Sequence, residues 1–199
     1  MLLYFFYFFL YLAMVALAIL DIWLLIKLIE YLYCAFVLHQ PPFVPSNKKL
    51  RQLIAREINL HYPNTQRICE IGSGHGGLVR YIARHTRARV YGIENMPWAI
   101  LNAKFFGMFC PRAYTIWMDA FEYLGMQDQP FDVAIAYLSP AFTQKLTRYG
   151  NCFRVLISID FECAGKTPRR VIDLGRGYTR YMGKKYPHRL YIYEFGPDQ

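Results

Sequence analysis

Charge is missing from the first twenty residues of this chain, and neither glycine nor proline occurs before Pro41. Without charge, Met1–Leu20 cannot be a solvated surface helix. Without Gly or Pro, nothing signals a hairpin within it. No basic residue opens the run, so it lacks the start of a cleaved signal peptide. The Arg and Ser of a mitochondrial transit peptide are missing as well. Cysteine is sparse: Cys34, Cys69, Cys110, Cys152 and Cys163 are odd in number and form no C-x-x-C pair. That pattern argues against a disulfide framework and a zinc site, and it fits a reducing compartment. Beyond the aromatic amino-terminal segment there is no repeat and no low-complexity stretch.

What that segment does have is length. A helix of twenty residues spans about 30 Å, the thickness of a bilayer's hydrocarbon core. Tyr4, Tyr7 and Tyr11 are tolerated near an interface. Asp21 ends the uncharged run, and the residues up to Leu38 add only Lys27 and Glu30, three apart and able to pair on one face. One long helix is expected over residues 1–38, a membrane span followed by an amphipathic extension along the surface or onto the domain. A buried core helix would need a larger protein to cover aromatics on every side. Lys27, Lys48, Lys49 and Arg51 follow the span and nothing basic precedes it. The positive-inside rule then places the remaining domain, residues 39–199, on the cytoplasmic side. The 199 residues carry a net charge of +9, and without 1–38 the rest carries +10, from 22 basic and 12 acidic residues. A basic domain held at a lipid bilayer suits anionic head groups. The anchor argues against nucleic acid as a partner.

The chemistry is concentrated in Arg67-Ile-Cys-Glu70-Ile-Gly72-Ser73-Gly74-His75-Gly76-Gly77. A short apolar run ends in an acid, a glycine turn follows, and Leu78, Val79 and Ile82 open a helical pattern. A second short run, Ala88–Ile93, ends in Glu94, which lies 24 positions after Glu70. Strand, glycine turn, helix, strand and acid make a site for a nucleoside. Glycines let the backbone approach a ligand at φ > 0, the helix start offers free N–H groups, and the second acid can accept ribose hydroxyls. Gly72-x-Gly74-x-x-Gly77 also matches the dinucleotide fingerprint. Two features favour S-adenosylmethionine (SAM) instead. Glu70 would repel a pyrophosphate but suits the ammonium and sulfonium of SAM. The third strand, Ala113–Met118, ends in Asp119, placed to hydrogen-bond an adenine amino group. The candidate cofactor-binding residues are Glu70, Gly72, Ser73, Gly74, Gly76, Glu94, Asn95 and Asp119.

The pattern beyond the anchor alternates. Gln40–Pro45 is a proline-rich joint, and Ser46 is placed to cap a helix carrying Leu50, Leu53, Ile54 and Ile58 on one face. Strands are expected near 67–71, 89–94, 113–118, 132–138, 152–160, 169–174 and 188–195, with helices near 77–86, 97–107 and 140–148. This alternation implies a parallel sheet covered on both faces. The segment 175–187, rich in Gly, Tyr and basic residues, reads as a hairpin connection that makes the last strand antiparallel. Trp98 reads either as core on its helix or as a flank of the ribose. The carboxyl edge of such a sheet would gather Glu70–Gly77, Glu94, Asp119, Tyr137–Pro140 and Asp160–Phe161.

Glu70-x-Gly-x-Gly-x-Gly76, with Glu94 and Asp119, resembles the class I SAM-dependent methyltransferases. Four further pieces narrow the resemblance: Pro42-Phe-Val-Pro45, Gly92-Ile-Glu94-Asn95-Met-Pro97-Trp98, Ala136-Tyr137-Leu138-Ser139-Pro140 and Gly165-Lys-Thr-Pro168-Arg-Arg-Val-Ile172. They are similar to a membrane-anchored group whose eukaryotic members are mitochondrial protein-lysine methyltransferases, acting on the ATP synthase c-subunit and the adenine nucleotide translocase. The resemblance runs from about residue 41 to 195. His75 departs from the group's usual aspartate and Gly77 from its usual arginine. The resemblance implies a Rossmann-like, seven-stranded α/β sheet with an antiparallel last strand, preceded by a transmembrane helix. It implies methylation of an accessible lysine on a protein at the same membrane, the mitochondrial inner membrane in a eukaryote. Tyr137 and Ser139 follow the fourth strand, where methyltransferases place acceptor contacts, and are the candidate catalytic residues. Two other functions stay open: a small-molecule or lipid methyltransferase with the same cofactor site, and a non-catalytic interaction module.

Overall fold

The computed structural model describes residues 2–33, 36, 45–181 and 183–196. The chain divides into two compact units, Met1–Phe43 and Val44–Gln199. The first contains helix α1, Leu2–Tyr33, with no acidic residue in its first turn and no basic residue in its last. Its large apolar side chains, from Leu3 to Leu32, are exposed on every side. Over its most apolar window its mean hydropathy is 2.5, so it is long and apolar enough to cross a membrane, a property that signal sequences share. The expected continuation to Leu38 and the Pro42–Val44 part of the proline-rich piece lie outside the described residues, as does the Glu30 side chain expected to pair with Lys27.

The second unit is built on a seven-stranded sheet. In chain order its elements are α2 (Lys48–His61), β1 (Arg67–Ile71), α3 (Gly77–His85), β2 (Arg89–Glu94), α4 (Pro97–Gly107), β3 (Ala113–Trp117), α5 (Ala120–Gly125), β4 (Phe131–Ala136), α6 (Pro140–Leu146), β5 (Phe153–Ile159), β6 (Arg170–Tyr181) and β7 (Lys184–Glu194). The strand order is β3-β2-β1-β4-β5-β7-β6. The first five strands are parallel, and β7 runs antiparallel to both β5 and β6. Alternation along the strands feeds two cores. Ile68, Val133, Ile135, Val155 and Ile157 pack with α2 and α3. Cys69, Phe131, Ala134 and Leu156 pack with Leu124 of α5 and Leu146 of α6 on the other face. The described cysteines, Cys69, Cys110, Cys152 and Cys163, are free and buried.

Local chemistry corrects several expectations. Ser46 does not cap α2. Asn47 does, its side chain accepting from Leu50 N at 2.9 Å, while Ser46 Oγ accepts from Arg51 Nε at 3.0 Å. The helix expected over 140–148 ends at Leu146 and passes into a 3-10 turn, Thr147–Cys152. Helix α5 is additional. It has six residues, too few to show a periodicity. The segment 175–187 is mostly strand. A register shift between Asp173 and Tyr178 is accommodated at Gly175 and Gly177, which have φ of 103° and 146°. Pairing then resumes, Thr179 opposite Tyr186 and Tyr181 opposite Lys184. Because Ile159 pairs with Leu190, this part of the β6–β7 ribbon projects beyond the carboxyl ends of β4 and β5.

Candidate active site

The chain leaves β1, builds β2 and β3 to one side, then returns to build β4 and β5 on the other. Between β1 and β4 the direction reverses, and the crevice at their carboxyl ends is where open α/β sheets bind ligands. The glycine turn fills this position. Gly72 and Gly74 have φ of 71° and 52°, a region that other residues adopt only with strain. Gly72 N and Ser73 N donate to Ile93 O at 2.9 and 3.0 Å, stitching the turn to the end of β2. A Cβ at Gly92 would lie 2.7 Å from both Ser73 Oγ and Val79 Cγ2, so β2 can approach the turn only because residue 92 is glycine.

Glu94 closes the turn from below. Its Oε2 accepts from Gly74 N at 2.7 Å, and its Oε1 accepts from Asn95 N and Met96 N, both at 2.9 Å. The carboxylate is buried; Oε1 already accepts two hydrogen bonds, and Oε2, which accepts one, keeps a further lone pair for a ligand hydroxyl. Glu70, also buried, lies at the end of β1. Desolvation pushes its pKa up to about 8, against the opposing pull of the Val79 backbone N–H and the Arg51 guanidinium. A Cβ at Gly77 would fall 2.8 Å from Arg51 Nη2. The guanidinium of Arg51, on α2, thus lies against the turn at Gly77. His75 contributes its carbonyl, which accepts from Arg80 Nη1 at 2.7 Å.

Among the described residues, the buried side-chain polar atoms without a hydrogen-bond partner are Glu70 Oε2, Ser73 Oγ, Ser139 Oγ and Arg170 Nε. Glu70 lies near the end of β1, Ser73 follows that strand and Ser139 follows β4, the two strands that flank the crevice. Buried polar groups are ordinarily paired, and a carboxylate oxygen with two hydroxyls suits a cationic, hydroxyl-bearing ligand. Asp119 stands farther along the edge, after β3. Its Oδ1 caps α5, accepting from Phe121 N and Glu122 N at 2.9 and 3.1 Å. Its side chain is otherwise exposed. Trp98, at the start of α4, is 42 % exposed and therefore not a core residue. Among the described residues no cluster of His, Cys, Asp and Glu is suited to a metal ion.

On the other side of the crevice, Tyr137 and Ser139 follow β4. The Tyr137 hydroxyl donates to Asp160 Oδ2 at 3.0 Å. Burial, and then the Asp160 carboxylate, push the phenol pKa up to about 12. It therefore stays protonated at neutral pH and is no base. Asp160 is the centre of a cluster that sequence reasoning placed at this edge without giving it a role. It is 1 % exposed and, alone among described non-glycine residues, has positive φ, 64°. Its Oδ2 also accepts from Thr179 Oγ1 at 2.6 Å, and its Oδ1 from Arg189 N at 3.3 Å. His188 Nδ1 lies 3.1 Å from Oδ2. A carboxylate only accepts, so Nδ1 carries a proton toward it. Asp, His and Tyr so joined can orient an acceptor and receive its proton. The cleft lined by Gly165, Lys166, Thr167, Arg169 and Glu194 is elsewhere. Glu194 pairs with Val155 near the start of β5, at the opposite edge of the sheet.

The solved structures that resemble this one share the same architecture. An RNA methyltransferase from Salinibacter ruber, in complex with S-adenosyl-L-homocysteine, superposes with a TM-score of 0.62 at 23% identity, over 78% of this chain and 96% of that one. A putative O-methyltransferase from Klebsiella pneumoniae gives 0.60 at 14% identity, over 84% and 96%. An O-methyltransferase from Bacillus cereus gives 0.52 at 15% identity, over 60% and 59%. The fold is that of the class I SAM-dependent methyltransferases. At these identities the likeness is one of fold. No protein-family model matches the chain, and no curated protein matches it in sequence.

Proposed function

We propose that the chain is a SAM-dependent methyltransferase. The observation that carries this reading is the set of unpaired buried atoms, Glu70 Oε2, Ser73 Oγ and Ser139 Oγ, at the ligand-binding edge of this fold. In this reading Glu70 holds the α-ammonium, and Gly72, Ser73, Gly74 and Gly76 form the floor. Glu94 accepts from the ribose, Asp119 through its free oxygen from the adenine amino group, and Asn95 borders the sugar. When bound, SAM supplies a methyl group on a sulfonium, open to in-line attack by a neutral nucleophile. The protein's task is then alignment, exclusion of water and removal of a proton.

For the acceptor we infer the amine of a lysine on a protein at the same membrane. Support comes from the resemblance of the 42–45, 92–98, 136–140 and 165–172 pieces to the lysine-modifying group. The Tyr137 oxygen, its own proton directed to Asp160, can accept from an incoming ammonium, and Ser139 Oγ can do the same. Removal of the amine's proton is assigned to the Asp160–His188 pair, because an aliphatic ammonium has a pKa near 10.4 and cannot attack until that proton is lost. The second reading, a small-molecule or lipid acceptor, is favoured by the O-methyltransferases among the fold's neighbours. Residues 1–38 would hold the catalytic domain, 39–199, on the cytoplasmic face, raising the effective concentration of a membrane substrate.

One experiment separates these readings. Membranes and cytosol from a deletion strain are incubated with the purified full chain and methyl-labelled SAM. Label in a protein band that disappears on protease treatment supports the lysine reading. Label in the lipid extract or the small-molecule fraction supports the second, and no transfer to any fraction refutes methyl transfer.

A further inference from the structure

Helix α4 is built inside out. Its inward residues are Ala99, Ile100 and Ala103, all buried, while the bulky Trp98, Leu101 and Phe105 are 42, 58 and 60 % exposed. The stripe continues past the helix end to Phe109, 72 % exposed. These positions follow one another by three or four residues and so lie along one face. β3, the edge strand beside it in the fold, adds Trp117, 60 % exposed. Its indole Nε1 lies 3.3 Å from Asn95 O, just before α4 begins. A contiguous apolar surface of this kind on a water-soluble domain marks a place of attachment.

The charges that face outward from this segment are of one sign as far as Met118, with the exposed Asp119 just beyond. From residue 71 to 118 the basic residues are Arg80, Arg84, Arg87, Arg89, Lys104 and Arg112, and the single acid is Glu94. Glu94 is buried and hydrogen-bonded to the glycine turn. Nothing negative in this stretch therefore faces outward. We infer that the α4 face lies in the interfacial region of the bilayer, its aromatic stripe among the acyl chains and its basic residues among anionic head groups. The inference rests on reading α1 as a membrane anchor, which keeps a bilayer within reach. Single-stranded nucleic acid would be met by separate aromatics along a charged groove, not by a stripe that includes Leu101 and continuous Phe. The consequence for the site is direct. Trp98 and Trp117 adjoin Asn95, so the cofactor edge would open beside the lipid surface and favour an acceptor that lies there.

The test uses the full chain with Trp23→Phe, which leaves Trp98 and Trp117 as the only tryptophans of the three. It is reconstituted in vesicles of phosphatidylcholine and phosphatidylglycerol, with or without bromine on the acyl chains. The expected result is that brominated lipid quenches about half or more of the emission, since an interfacial helix sits about 5–10 Å deep. Adding Phe105→Glu and Phe109→Glu should at least halve that quenching without changing the unfolding temperature, because both rings are already exposed. Alkaline carbonate extraction of the same vesicles reads the anchor separately. Release by carbonate with quenching retained would remove the anchor and keep the face. Full emission in brominated vesicles that retain the chain would overturn the inference. So would emission that responds instead to a single-stranded RNA, or a crosslinked second copy, either of which assigns the face to another partner.

Discussion

Glu70 makes the cofactor reading measurable through pH. Its carboxyl is buried, its Oε2 lacks a partner, and desolvation places its pKa at about 8. In the ligand-free chain it is therefore largely protonated at neutral pH. An ammonium beside Oε2 stabilises the ionised form, so binding SAM should expel this proton. Affinity should rise by close to tenfold per pH unit between about pH 5.5 and 7.5, since one unit corresponds to about 1.4 kcal/mol. Calorimetry in two buffers of different ionisation enthalpy should register nearly one proton released per SAM bound at about pH 6.5. Adenosine, which has no ammonium, should bind without releasing it. Glu70→Gln should flatten the pH dependence and lower affinity at about pH 7.5 by a factor on the order of 10–100. The same carboxyl acts on stability with a definite sign. Its folded pKa lies above the ordinary 4.5, so the native state binds more protons between those values, and ligand-free stability falls as pH rises through that window. Glu70→Gln should remove that fall. An affinity flat across the window, or equal proton release with adenosine, would refute the argument.

Glu94→Ala should weaken both ligand and fold: three backbone N–H groups lose their acceptor, at about 1–3 kcal/mol for each that stays buried, read by thermal unfolding beside SAM calorimetry. Gly92→Ala should abolish SAM binding while the domain still folds, because the added methyl displaces Ser73 and Val79; unchanged binding would show the turn to be pliant. Tyr137→Phe should lower kcat and kcat/KM together with SAM affinity nearly unchanged, since the proposed cofactor contacts lie at the ends of β1, β2 and β3; unaltered turnover would take the hydroxyl out of the mechanism. His188→Gln should lower kcat with SAM affinity nearly unchanged, whereas a merely structural histidine would lower the unfolding temperature and leave turnover of the folded enzyme intact.

The amino-terminal helix, the glycine turn and the three strand-end acids could be read along the chain because each is a local signal. Absence of charge over a span, glycines at fixed intervals and an acid closing an apolar run need no partner to be recognised. The same holds for the seven strands, whose apolar runs are bounded by turns. What local signals could not supply was the use made of each acid. Glu94 and Asp119 look alike in sequence, yet the first is buried, with one oxygen holding the glycine turn and the other the entry to α4, while the second is exposed and caps a helix too short to show a period. The ribbon beyond Gly175 read as a loop because its glycines are indistinguishable from turn glycines until the partner strand is seen to continue past them.

Only the tertiary structure brought together Tyr137, Asp160, Thr179 and His188. Their hydrogen bonds join residues 19 to 28 positions apart, and they exist because the register of β4, β5, β6 and β7 places those positions at one end of the sheet. Sequence by itself determined a membrane-length apolar helix, an alternating α/β domain and a glycine turn after the first strand, since periodicity and backbone sterics act over a few residues. Which face of α4 stayed uncovered, and which histidine met which carboxylate, depended on packing between distant segments.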